Sequence, residues 1–154
     1  MTPRDRTVDA FEAVRRLASI GSTCEVIAHG ALGAAFGSIL AWSGGAGTLL
    51  MGALTLAGAL ISAAWAAGRL PAVAAGRMIE RRYPECRNVL VTAEELLAGT
   101  LEADAPSTDR VFQRAADMLT RIDAHRASGA ARRVAVSVAV TSACAAVIVA
   151  LWRS

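Results

Sequence analysis

From Val26 to Gly68 the chain carries no Asp, Glu, Lys or Arg. Forty-three residues without a charge are too many for one helix of a soluble domain, and about 20 apolar residues suffice to cross a bilayer. The run divides at Ser43-Gly44-Gly45-Ala46-Gly47, a glycine cluster of the kind that punctuates structure. Residues 26–42 and 48–68 are therefore expected to form two spans joined by a very short turn, a transmembrane hairpin. A second uncharged run, Val134 to Trp152, meets the same length criterion and predicts a third span. Backbone groups in lipid must be paired internally, so all three should be helices. That holds even for the third, whose Val134, Val136, Val138 and Val140 alternate as a strand would. The 55% hydrophobic content, against roughly 45–50% in soluble domains, excludes disorder and a disulfide-stapled secreted module.

All sixteen basic residues are arginine, which with the abundant alanine marks a GC-rich coding bias rather than a function. Their distribution sets the orientation. Four precede the first span, eleven lie between Arg69 and Arg133, the 43–47 turn has none, and only Arg153 follows the third span. By the positive-inside rule the N-terminus and the 69–133 segment are cytoplasmic, and the turn and C-terminus are outside. Trp42, Trp65 and Trp152 lie near span ends, as interfacial anchors do. The expected division is thus 1–25, a cytoplasmic amphipathic helix; 26–68, the hairpin; 69–133, a cytoplasmic helical segment; and 134–152, the third span. The net charge of +3 does not signal nucleic-acid binding. The eleven arginines of 69–133 are offset by nine acids, and no basic patch with interleaved aromatics is present. Some arginines can attract anionic lipid headgroups. Cys24, Cys86 and Cys144 are widely separated and odd in number, so no disulfide framework is expected, and uncleaved insertion without a secretory signal is expected as well.

Outside the spans the pattern is helical. Val8, Phe11, Val14, Leu17 and Ala18 recur at three- and four-residue steps, predicting an amphipathic helix over 5–20 that either lies on the membrane surface or packs on the 69–133 segment. Gly21-Ser22 is expected to break it. Pro71 suits the first turn of a helix running to Arg82, ended by Tyr83-Pro84. A further helix is expected from Glu85 to Ala98 with Gly99 as its stop. A loop ending at Pro106 would follow, then a helix capped by Ser107 or Thr108 that carries Phe112, Ala115, Leu119 and Ile122 on one side. Two such helices joined by a short loop imply an antiparallel cytoplasmic hairpin. The fold class is accordingly an all-α integral membrane protein.

The spans are lined with small residues. Gly33 and Gly37 form a GxxxG, and Ala53/Ala57 and Ala59/Ala63 repeat the spacing. Small side chains let helix backbones approach closely. The stripe serves contact within the hairpin, reflects simple alanine richness, or joins a second copy or a partner span.

Reactive constellations are thin. His29 stands four residues after Glu25, the spacing of a metal pair or proton relay, but a metal site wants three or four ligands and the spans offer no more. Cys86 with His125 lacks a nameable oxyanion donor. Glu94-Glu95 after Thr92 reads as a capping box or a solvated face. No phosphate-loop, dinucleotide or zinc-protease motif occurs. No catalytic residue, cofactor, metal or small-molecule substrate is expected.

The stretch from Ala75 to Leu97, with Ile79-Glu80-Arg81, Tyr83-Pro84 and Asn88 to Leu97, resembles the N-terminal membrane region of large bacterial inner-membrane proteins grouped as domain of unknown function 4175. The resemblance extends to the preceding hairpin, the further amphipathic helix and the third span. It implies a bacterial inner-membrane location and brings no enzymatic activity. In that family a long extracytoplasmic region follows the third span, whereas this sequence stops two residues after Trp152. The expected function is that of an anchor, scaffold or accessory subunit, partnered by membrane lipid and by other membrane subunits or further copies of itself. A holin-like pore is the alternative.

Overall fold

The computed structural model describes residues 1–45, 47–69 and 74–153, and all regular structure among them is helical. The elements are α1 (Pro3–Ser43), α2 (Thr48–Gly68), α3 (Ala75–Arg82), a 3-10 turn (Pro84–Cys86), α4 (Val89–Leu97), α5 (Ala105–Leu119), α6 (Ala124–Ser128) and α7 (Ala130–Arg153). Helices α1, α2 and α7 are long and apolar enough to cross a membrane. The chain divides into two compact units, Met1–Ser19 with Ala72–Ala130, and Ile20–Pro71 with Ala131–Ser154.

Helix α1 begins earlier than periodicity suggests. The Thr2 backbone N–H donates to Asp5 Oδ2 at 2.8 Å and the Asp5 N–H donates to Thr2 Oγ1 at 3.2 Å, a reciprocal capping box around Pro3. The Thr2 backbone N–H, and after it the Thr2 hydroxyl, hold the Asp5 carboxyl below the usual carboxylate range. The expected break at Gly21-Ser22 does not occur, and α1 runs unbroken from Pro3 to Ser43. One helical glycine costs about 1 kcal/mol relative to alanine. With helix-forming residues on both sides, that is too little to end the element.

The first unit is a small helical core. Phe11 and Val14 of α1 pack with Ala75 and Ile79 of α3, Cys86 of the 3-10 turn, Leu90 and Ala93 of α4, Phe112 and Ala115 of α5, and Ala127 of α6. The expected two-helix hairpin of α4 and α5 is therefore part of a larger arrangement, because the apolar faces of α1 and α3 need the same cover. Three local boundaries also differ from expectation. Helix α4 starts at Val89 rather than Glu85, since Arg87 (φ 47°) and Asn88 (φ 66°) adopt left-handed conformations after the 3-10 turn. Pro106 lies inside the first turn of α5, after Asp104 at the N-cap, rather than closing the loop ahead of Ser107 or Thr108. There its missing N–H forfeits no helical bond. The third apolar helix starts at Ala130, following a left-handed Gly129 (φ 62°). Gly99 ends α4 with φ 69°, where a side chain would be strained. The expectations for Pro71, Ala72 and Val73, and for Ala46 within the turn, fall outside the described residues.

In the second unit α1 and α2 pack antiparallel with almost no side chain between them. A Cβ on Gly33 would strike the carbonyl oxygen of Gly58 and the Ser62 hydroxyl, and one on Gly58 would strike the Gly33 carbonyl. A Cβ on Gly37 would strike the Leu54 carbonyl. Gly30 faces the Ala59 carbonyl and the Ala63 methyl, each 3.6 Å from where a Cβ would sit. One turn further along, the Ser38 and Thr55 hydroxyls lie 2.7 Å apart across the interface. Ser38 also reaches the Ala34 carbonyl at 3.0 Å, and Thr55 the Met51 carbonyl at 2.8 Å. Two protons serve three contacts, so one hydroxyl bridges the helices while the other returns to its own backbone. The outward residues are large and apolar: Leu49 is 91% exposed, Ile61 70% and Phe36 63%.

Candidate functional site

Two helix starts in the first unit lack caps of their own. Neither Ala74, before α3, nor Asn88, before α4, supplies a side-chain bond to its helix. Each helix instead caps the other. Glu94 of α4 accepts from the backbone N–H groups of Ala75 (2.9 Å, Oε1) and Gly76 (2.8 Å, Oε2) at the start of α3. Glu80 of α3 accepts at Oε1 from Leu90 (2.9 Å) and Val91 (3.2 Å) at the start of α4. A carboxylate at a helix N-terminus meets both unpaired donors and the positive end of the helix dipole. The approach depends on Gly76, where a Cβ would lie 2.7 Å from the Leu90 carbonyl oxygen.

Glu94 has a third partner. Arg15 of α1 donates from Nη2 to Glu94 Oε1 at 2.7 Å, joining the N-terminal helix to the same carboxylate. Glu94 therefore ties three segments together, and the expected capping-box or solvated-face reading of Glu94 gives way to a cap on a different helix.

Cys86 is 2% exposed within this core. Burial, with the nearby Glu85 and Glu80 carboxylates, pushes its thiol above the ordinary range. A raised folded-state value favours the neutral thiol, so the stability it contributes is present below the unfolded thiol's pKa and lost as pH rises through the folded one. Cys86 should thus resist alkylation at neutral pH until the unit unfolds. Pulsed alkylation read by mass spectrometry, with denaturant added in steps, checks this; rapid labelling of Cys86 without denaturant would contradict the packing. His125 makes no hydrogen bond to Cys86 among the described residues; its backbone N–H donates to Asp123 Oδ1 at 2.8 Å, an N-cap for α6. No group of three or more His, Cys, Asp or Glu able to hold a metal ion occurs among the described residues.

In the second unit the small residues divide by role. Gly33, Gly37, Ala59 and Ala63 lie on the contact between α1 and α2, whereas Ala53 and Ala57 are exposed. Gly30 and Gly58 belong to the contact too and escape a reading of alanine spacing alone. Trp42, Trp65 and Trp152 are each about half exposed. Trp152 also packs, its Cη2 lying 3.8 Å from where a Cβ on Gly52 would sit. His29 bonds through Nδ1 to the Glu25 backbone carbonyl at 2.8 Å, not to a second ligand. Its ring centroid stands 6.1 Å from that of Trp65, and the Arg69 guanidinium carbon lies 3.7 Å from the Trp65 ring centroid. No family model matches this chain, and no curated protein and no solved structure matches it either.

Proposed function

We propose that the chain is a non-enzymatic three-span protein of a bacterial inner membrane, serving as anchor, scaffold or accessory subunit of a larger membrane assembly. The observation that carries this reading is the composition of the first unit. Residues 1–19 and 72–130 share one core, so both must lie on one side of any membrane the chain enters. The segment between them must then cross an even number of times, and it holds two apolar helical stretches, the end of α1 and α2. This agrees with the arginine distribution, which puts that unit in the cytoplasm and the C-terminal end of α7 outside. The likeness of residues 75–97 to domain of unknown function 4175 belongs to the same proposal.

Cysteines introduced singly at Gly47 and Glu102, on a background lacking the native three, test the topology with an impermeant reagent. Gly47→Cys should label in intact cells and Glu102→Cys only after permeabilisation; the reverse pattern, or labelling of both in intact cells, overturns the orientation. Mild-detergent extraction followed by native mass spectrometry then tests the role. Stoichiometric membrane partners support an accessory subunit, whereas a ring of this chain alone that also leaks dye from vesicles replaces it with the pore reading.

A further inference from the structure

One end of the second unit carries an arginine arranged to receive a ligand. Arg69 follows the last turn of α2, exposed, with its guanidinium laid on the face of Trp65 one turn earlier. The Trp65 ring is in turn contacted by His29 of α1. Arg69 forms no ion pair among the described residues, unlike Arg15 and Arg16, whose guanidinium groups reach Glu94 and Glu12. A guanidinium stacked on an aromatic face keeps its N–H donors in the plane, pointing away from the ring. That is the fork that matches two oxygens of a phosphate. Stacking has already restricted the side chain, so less freedom is lost when the fork is occupied.

The surroundings favour an anion. Across Ile20–Pro71 and Ala131–Ser154 the sequence contains one acid, Glu25, against Arg69, Arg132, Arg133 and Arg153. Trp152 meets α2 at Gly52, so in a membrane-crossing α7 the other end, with Arg132 and Arg133, lies toward the end of α2 that bears Arg69. At 1.5 Å per residue both sets stand roughly 25–30 Å from the Gly52–Trp152 contact, about one hydrocarbon thickness away. Three arginines thus occupy one headgroup level, with Glu25 as the acid near it.

We propose that Arg69, held flat on Trp65, binds the phosphate of an anionic phospholipid at the cytoplasmic headgroup level. The proposal rests on the three-span reading. The test is native mass spectrometry of the full chain in mild detergent, titrated separately with phosphatidylglycerol and phosphatidylcholine. Wild type should retain phosphatidylglycerol about tenfold better. Arg69→Gln should abolish most of that preference, and Trp65→Leu should reduce it about threefold by removing the platform. Arg69→Lys, which keeps the charge but not the planar fork, should fall between, and Arg153→Gln at the opposite end should behave as wild type.

Equal retention by wild type and Arg69→Gln overturns the site, as do equal losses in Arg69→Gln and Arg153→Gln, which would indicate net charge alone. If Arg69→Gln does not elute as a folded protein, wild-type retention in both Arg69→Lys and Trp65→Leu overturns it instead. Displacement of the lipid by excess inorganic phosphate would assign the site to soluble phosphate and overturn the lipid assignment. Alkaline carbonate extraction separates the two levels: release of the wild-type chain from membranes sinks the three-span reading, whereas membrane retention without lipid preference sinks only this site.

Discussion

Replacing Gly33 with leucine should separate the first two apolar helices and destabilise their packing by about 3 kcal/mol or more, the upper range for overpacking. The reason is what the new side chain meets. At Gly33 even a Cβ runs into the Gly58 carbonyl, which belongs to a helix backbone and cannot rotate away as a side-chain tip would. The Ser38–Thr55 hydroxyl contact lies one turn along the same interface and should be lost with it. Cysteines substituted at Ser38 and Thr55, on a background lacking the native cysteines, report the contact by disulfide formation. Crosslinking should be efficient with Gly33 and greatly reduced with Gly33→Leu, at any protein concentration, since the contact is intramolecular. Ala53→Leu and Ala57→Leu, at exposed positions, should crosslink as the parent does. Undiminished crosslinking in Gly33→Leu would refute the packing.

Removing the Glu94 side chain should have the largest effect in the first unit. Glu94→Ala strips two N–H groups at the start of α3 of their acceptor and releases Arg15. A lost helix cap costs roughly 0.5–2 kcal/mol, and hydrogen bonds to a charged group are worth about 1.5–3. A total loss of about 2–3 kcal/mol is expected, because the bonds share one carboxylate and are not additive. Arg15 is about half exposed, so Arg15→Ala should cost at most about 1 kcal/mol. The rate of Cys86 alkylation across a denaturant series reads both, since that thiol is covered by the same core. If Glu94→Ala and Arg15→Ala prove equally mild, the capping role fails and Glu94 is only half of a surface pair.

The parts of the fold legible in the sequence were those set by composition over many residues. An uncharged run, a glycine cluster and a second uncharged run locate three apolar helices because burial in lipid demands length and the absence of charge. Gly99 as a helix stop and the spacing of Phe112 and Ala115 were equally legible, since a glycine terminus and a 3.6-residue period act within one or two turns. What escaped was set between elements. Glu94 caps a helix that begins 19 residues earlier, and no local rule links a mid-helix carboxylate to another helix's free N–H groups. Arg87 and Asn88 take left-handed conformations with no glycine to mark them. Gly58 lies in a sequence dominated by alanine, and its importance comes from Gly33 on the opposing helix. The arginine on Trp65 follows four-residue helical spacing, yet nothing in that spacing says whether the side chain turns back over the ring.

The divided first unit also has a consequence for the order in which the chain is made. Phe11 and Val14 leave the ribosome well before Leu90 and Phe112 have been joined to the chain, yet their cover in the finished core comes from those later residues. At about 5–20 residues per second the interval lasts seconds, far longer than a helix needs to form. In a chain inserted as proposed, the nearest apolar surface during that wait is the bilayer itself. On that reading the amphipathic face of α1 would meet lipid while the chain is incomplete; in the finished core it packs with α3, α4 and α5.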